Sequence, residues 1–147
     1  MNTADRYRDT RRLIDTHGWA VIGVFPTCAE DGPPFSYTAG LTDRGLPELA
    51  IYGLAPDTAG GVLNAAARYA VDNGELPCGQ PISGLLAGGL SVVAVAMEDT
   101  DDLTTVRGLY GVVLAAQQIV WPDARGRMPW QGWDLGAAQP LHGGQPT

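Results

Sequence analysis

The chain changes its apolar rhythm several times, and each change marks an element. Residues 4–16 follow a helical spacing: Ala4, Tyr7, Arg11 and Ile14 fall on one face with Leu13 beside them, and the intervening positions are mostly charged. His17 and Gly18 then supply a helix end, with Gly as a left-handed cap and His at the negative pole. From Trp19 the rhythm shortens. Residues 19–25 and 48–54 are β-branched and aromatic runs, and residues 35–41 alternate as Phe-Ser-Tyr-Thr-Ala-Gly-Leu. A loop at 26–34, containing Glu30-Asp31-Gly32, and a turn at 42–47 separate these runs. Three successive strands with such links predict an antiparallel meander.

The helical period returns at Pro56-Asp57-Thr58, where proline suits the first helical position and Asp the positive pole. Val62, Leu63, Ala66, Ala67 and Ala70 form its buried stripe, and Asn73-Gly74 ends it. Residues 76–84, with Pro77 and Pro81, read as a loop, 90–97 as an apolar strand and 98–102 as an acidic turn. Residues 103–110 read as a short helix, although Thr104, Thr105 and Val106 are weak helix formers. Residues 112–121 fit either period; their run into Pro122-Asp123 favours a strand that ends in a turn. The tail from about residue 136 has no period and is expected to fray.

With no repeat and no linker, the 147 residues are expected to form a single domain, 1–147. The fold class is α+β: a mostly antiparallel sheet or small barrel of about five strands, with two or three helices packed on one side.

Composition refines this picture in three respects. Hydrophobic residues make up 45 %, enough for a sizeable core, while 20 Gly and 11 Pro point to many turns rather than a helical bundle. The net charge of −7 disfavours nucleic acid unless a local patch overrides it, and Arg6, Arg8, Arg11 and Arg12 are interleaved with Asp5, Asp9 and Asp15. Cys28 and Cys78 match no metal spacing and form no disulfide framework. The polar start carries no leader-like apolar run, and the longest apolar stretch, 82–97, is broken by glycines and too short to span a bilayer. A cytoplasmic, soluble protein with free thiols, no membrane or nucleic-acid partner and no metal is the expectation.

Candidate chemistry concentrates in two segments. Trp121, Trp130 and Trp133 fall within thirteen residues of one another, around a Pro122-Asp123-Ala124-Arg125-Gly126 turn. Such a cluster is either a packed corner or an aromatic-walled pocket in which Arg127 binds an anionic group and Asp123 orients it. In the second segment, Ser36, Thr38 and Gly40 share one strand face and Tyr37 and Ala39 the other. The hydroxyl face suits a ligand slot, and equally a half-exposed strand. Glu48, at the head of the third strand, is either a general base or the ion-pair partner of Arg44 or Arg127. No nucleophile elbow surrounds Ser36, Ser83 or Ser91, and the two histidines, His17 and His142, read as helix-end and tail residues.

A wider pattern joins these pieces. Gly18-Trp19, residues 33–41, Pro47-Glu48-Leu49, Tyr52-Gly53-Leu54, Val120-Trp121-Pro122-Asp123 with Gly126, Pro129-Trp130 and Gln139-Pro140-Leu141 together resemble a bacterial family of small proteins known only as domain of unknown function 4262. The resemblance runs from about Gly18 to Gly143. It implies a small stand-alone cytoplasmic protein and no established activity. An acidic residue often follows the Pro-Trp pair in that pattern; here Gln131 stands there, which removes a carboxylate role at that point.

A weaker, architectural likeness over residues 19–73 is to flavin-binding split barrels, which are usually dimers with flavin at the subunit boundary. Two functions follow. One is a small-molecule or cofactor-binding protein, a flavin-type split-barrel oxidoreductase being one form of it, in which Tyr37, Thr38, Trp121, Asp123, Arg127 and Trp130 hold a small anionic or aromatic ligand, in a homodimer. The other is a non-catalytic interaction or regulatory module whose Trp-rich C-terminal segment recognises a protein partner.

Overall fold

The computed structural model describes residues 3–25, 32–131 and 139–143. Helix α1 (Thr3–His17) leads into a β-hairpin of β1 (Ala20–Val24) and β2 (Phe35–Ala39), followed by β3 (Glu48–Tyr52). Helix α2 (Pro56–Asn73) comes next, then β4 (Pro81–Ile82), β5 (Val92–Ala96), helix α3 (Thr104–Tyr110) and β6 (Ala116–Val120).

The predicted meander forms: β1 pairs antiparallel with β2, from Ala20↔Ala39 to Val24↔Phe35, and β2 pairs antiparallel with β3. Beyond it the sheet continues with a crossover. β6 inserts beside β3, parallel to it, and β5 and β4 follow antiparallel, giving the order β1-β2-β3-β6-β5-β4. Of the two forms left open by the sequence, the sheet is open and α+β, with β1 and β4 as edges, rather than a closed barrel. The sixth strand, β4, arises inside the expected 76–84 loop and is only two residues long.

Side-chain alternation sorts the core onto both faces. On one face Leu49, Ile51, Ala94 and Ile119 meet the α2 stripe of Val62, Leu63, Ala66 and Ala67. On the other, Tyr37, Ala39, Ala50 and Tyr52 meet Ile14 of α1 and Val106 of α3. The helices therefore do not share one side, contrary to the expectation from the sequence: α2 covers one face and α1 and α3 the other. β3 is buried along all five residues, so each of its faces needs its own cover. Leu63 is fully buried, and removing its side chain from water contributes about 1.5–3 kcal/mol.

Helix α1 ends as its sequence foretells. Gly18, at φ 98°, donates its N–H to the Ile14 carbonyl at 2.8 Å. Its buried positions are Thr10 and Ile14, while Leu13 is left half exposed.

The segment Gln139–Gly143 lies within the tail that lacks any period, yet it is tied to the sheet by glutamine amides. Gln118 Nε2 donates to the Pro140 carbonyl at 2.7 Å, and Gln118 Oε1 accepts the His142 N–H at 2.8 Å. Glu98 and Asp99 donate their N–H groups to the His142 carbonyl.

Candidate functional site

The sequence singled out six residues; the fold puts the three aromatic ones, Tyr37, Trp121 and Trp130, in three different packing clusters. Tyr37 is buried on the α1/α3 face, where its hydroxyl accepts the Thr105 N–H at 3.1 Å. Thr38, its neighbour, turns toward Glu48. Trp121 packs in the α2-side core and donates its indole N–H to the Tyr52 carbonyl at 2.7 Å. Trp130 lies instead against Val93, Val95, Val120 and Met128.

Asp123 and Arg127 do meet, as the two ends of the turn. Asp123 accepts the Arg125 and Arg127 N–H groups and Arg127 Nε, each at 2.9 Å. Burial opposes the Asp123 charge, but these amides and the guanidinium outweigh it and hold the carboxyl below its ordinary value. The pair thus builds the turn. Trp133 and Cys28 lie outside the described residues.

Glu48 is fully buried, and its carboxylate is satisfied by five donors. Oε1 accepts the Thr38 hydroxyl at 2.9 Å and the Leu41 N–H at 3.2 Å. Oε2 accepts the Gly40 and Thr42 N–H groups at 3.0 Å and the Thr42 hydroxyl at 2.6 Å. The partners are hydroxyls and main-chain amides, not the Arg44 or Arg127 guanidinium. Gly40 at φ 121° lets the chain wrap the carboxylate, so this side chain organises a loop and has no spare lone pair for a substrate.

Three recesses bear on function. One, of about 640 Å³, lies at the start of β1 between α1 and α2, lined by Leu13, His17, Trp19, Asn64 and Arg68 among others. Its volume suits a small-molecule ligand. Trp19 closes the floor, with its indole N–H donated to Asn64 Oδ1 at 3.0 Å. The Arg68 guanidinium stands 5.3 Å from the Trp19 ring centroid, within cation–π range. Asn64 and Arg68 are one helical turn apart on α2, so both reach the same indole. The remainder of α2 buries its apolar stripe below them.

A second recess, about 570 Å³, lies near the β4 edge. Gly79, Ser91, Val93, Met128, Trp130 and Gln131 contribute to its wall. A third, about 220 Å³, is bounded by Leu46, Pro47, Glu75 and Leu114.

A polar cluster lies on the α1/α3 face. The Tyr52 hydroxyl donates to Asp102 Oδ2 at 3.0 Å, and the His142 ring stacks on Tyr52 at 4.4 Å. His142 Nδ1 lies 3.7 Å from Asp99, and Nε2 lies 3.9 Å from Asp102. Burial, and then the Asp102 charge, push the Tyr52 hydroxyl above its ordinary pKa. Among the described residues no group of three or more His, Cys, Asp or Glu is placed to hold a metal ion.

Trp19, Asn64 and Arg68 escaped the sequence reading because two elements contribute them. The one available signal was helical: positions 64 and 68 flank the apolar stripe of α2 at i,i+4 spacing. Among the described residues no helix is long and apolar enough to cross a membrane.

No curated protein and no solved structure matches this chain. A family model does, over residues 13–133, so the match takes in the Trp19 floor, both walls of its recess and the Trp121–Trp130 turn, and stops short of Gln139-Pro140-Leu141. The chain belongs to the family described as a domain of unknown function, DUF4262.

Proposed function

We propose that the protein binds a small ligand in the recess between α1, β1 and α2, and that the ligand joins an anionic group to an aromatic or apolar body. The observation that carries this reading is the Arg68–Trp19 pair. The guanidinium is held over an indole that Asn64 fixes in place, and among the described residues no carboxylate pairs with it. On a chain of net charge −7, a cation that meets no carboxylate among the described residues and stands beside a hollow favours an anion there. Arg68 supplies a planar donor fork, His17 a second polar edge, and Leu13 with Trp19 the apolar wall.

A flavin phosphate with its ring system meets this description, as do simpler aromatic carboxylates. The ligand site thereby moves from the six residues singled out in the sequence to a neighbouring indole. Trp130 keeps a second reading: its recess near the β4 edge is apolar-floored and suits an aromatic or aliphatic side chain of a partner.

The test is thermal shift with N-acetylphenylalanine, benzoate and flavin mononucleotide. A ligand at about ten times its Kd stabilises the fold by about 1.4 kcal/mol, a rise of about 3–5 °C for a chain of this size. Arg68→Ala is expected to abolish the rise and Arg68→Lys to reduce it. A rise of equal size in Arg68→Ala, or no rise with any of the three, would overturn the reading.

A further inference from the structure

The two edges of the sheet are protected to different degrees. The β4 edge is two residues long and begins with Pro81, which has no N–H to offer. The β1 edge is five residues, Ala-Val-Ile-Gly-Val, with no charge and no proline. Unguarded edges of this kind are templates for another strand. The Trp19–Arg68 recess adjoins this edge: it takes in Trp19, Ala20 and Val21 in succession, with α1 residues on one side and α2 residues on the other. The recess therefore lies at the start of a strand edge that, among the described residues, pairs with no further strand. The β1–β2 hairpin connection leaves at the far end of the strand, beyond Val24↔Phe35.

We propose that the β1 edge binds an extended peptide, which adds a seventh strand along β1 and places a carboxylate on Arg68. The inference rests on the ligand reading above and names the ligand's class. Main-chain pairing with β1 provides affinity for any extended sequence, while the Trp19–Arg68 recess selects an acid at one position. Charge complementarity favours this occupant over a second copy. The β1 edge itself is neutral, so a second copy's edge brings no anion to Arg68.

The experiment follows amide exchange of the 15N-labelled full chain with a randomised hexapeptide pool, a length that matches β1. The pool is made with free C-termini, with amidated C-termini and one Glu, and with alternate residues N-methylated. Slowed exchange at alternate amides of Ala20–Val24 is expected with either carboxylate-bearing pool, and either source of the acid upholds the proposal. N-methylation in the pairing register, or Arg68→Ala, is expected to weaken binding by about tenfold or more, the loss of one or two strong hydrogen bonds. Should N-acetylphenylalanine bind through Arg68 while no pool alters β1 exchange, the small-ligand reading stands and the peptide is excluded. If neither binds, both fall. Protection of β1 that grows with protein concentration, accompanied by a dimer mass, would assign the edge to a second copy and overturn the proposal.

Discussion

The side-chain amide of Gln139 closes on both main-chain groups of Trp121. Its Oε1 accepts the Trp121 N–H at 2.9 Å, and its Nε2 donates to the Trp121 carbonyl at 2.9 Å. A side chain here does what a neighbouring strand would do. Trp121 stands one residue past the end of β6, and both residues are buried, so water cannot replace the pairing.

Gln139→Ala should therefore leave a buried donor and a buried acceptor unmade. The expected loss is about 2–4 kcal/mol, more than a surface truncation costs. Urea midpoints of Gln139→Ala and of the exposed control Gln80→Ala measure it. Equal midpoints in the two variants would show that the tail contributes nothing to the fold.

Glu48 presents the same logic with a charge. Glu48→Gln turns an NH2 group toward hydroxyl and amide donors, whichever way the amide is oriented, and should cost about 2–4 kcal/mol. Thr38→Val removes the hydroxyl that donates to Glu48 and accepts the Leu49 N–H at 2.9 Å, with an expected cost of about 1–3 kcal/mol. Because the two share a hydrogen bond, the double variant should cost less than the sum. Denaturation of the four-member cycle reads the coupling, and strict additivity would contradict a shared network.

Much of this architecture was legible in local periods. The α2 stripe, the α1 cap at Gly18 and the three-strand meander each depend on neighbours a few residues apart, where spacing alone determines which face is apolar. The insertion of β6 between β3 and β5 was not legible, because a parallel pair is joined by a long excursion that leaves no local mark. Period two also told which face Tyr37 and Thr38 occupy without telling what covers it. Tyr37 faces α3 and Thr38 meets Glu48, so the hydroxyl face that suited a ligand is used internally. Gln118 and Gln139 look like ordinary polar residues until their main-chain partners are seen.

The Asp123 turn predicts the acid limb of stability. Its carboxyl titrates below its ordinary value in the fold, so the stability it contributes is present at neutral pH and declines as pH falls below about 4. Asp123→Asn should be less stable than the parent at pH 7, with a flatter curve below pH 4 that approaches the parent's. Parallel curves from pH 7 to pH 2.5 would remove Asp123 from the acid transition.

Two tyrosines govern the alkaline limb in the opposite sense. Burial and then the Asp43 carboxylate push Tyr110 up to about 12, and burial with Asp102 raises Tyr52 further. Both hydroxyls hold their protons more tightly folded than unfolded. Their contribution is complete below the ordinary tyrosine value of about 10 and is lost as pH rises through the folded value. Stability should therefore decline between about pH 10 and pH 12, and Tyr110→Phe should flatten that decline without moving the acid limb. Absorbance at the tyrosinate band, followed beside the unfolding midpoint, separates the two groups: Tyr110 should ionise near the upper end of this range, and Tyr52 only as the chain unfolds. A Tyr52→Phe variant that shows the parent's full alkaline slope would place its hydroxyl outside the linkage and leave the Asp102 contact as packing alone.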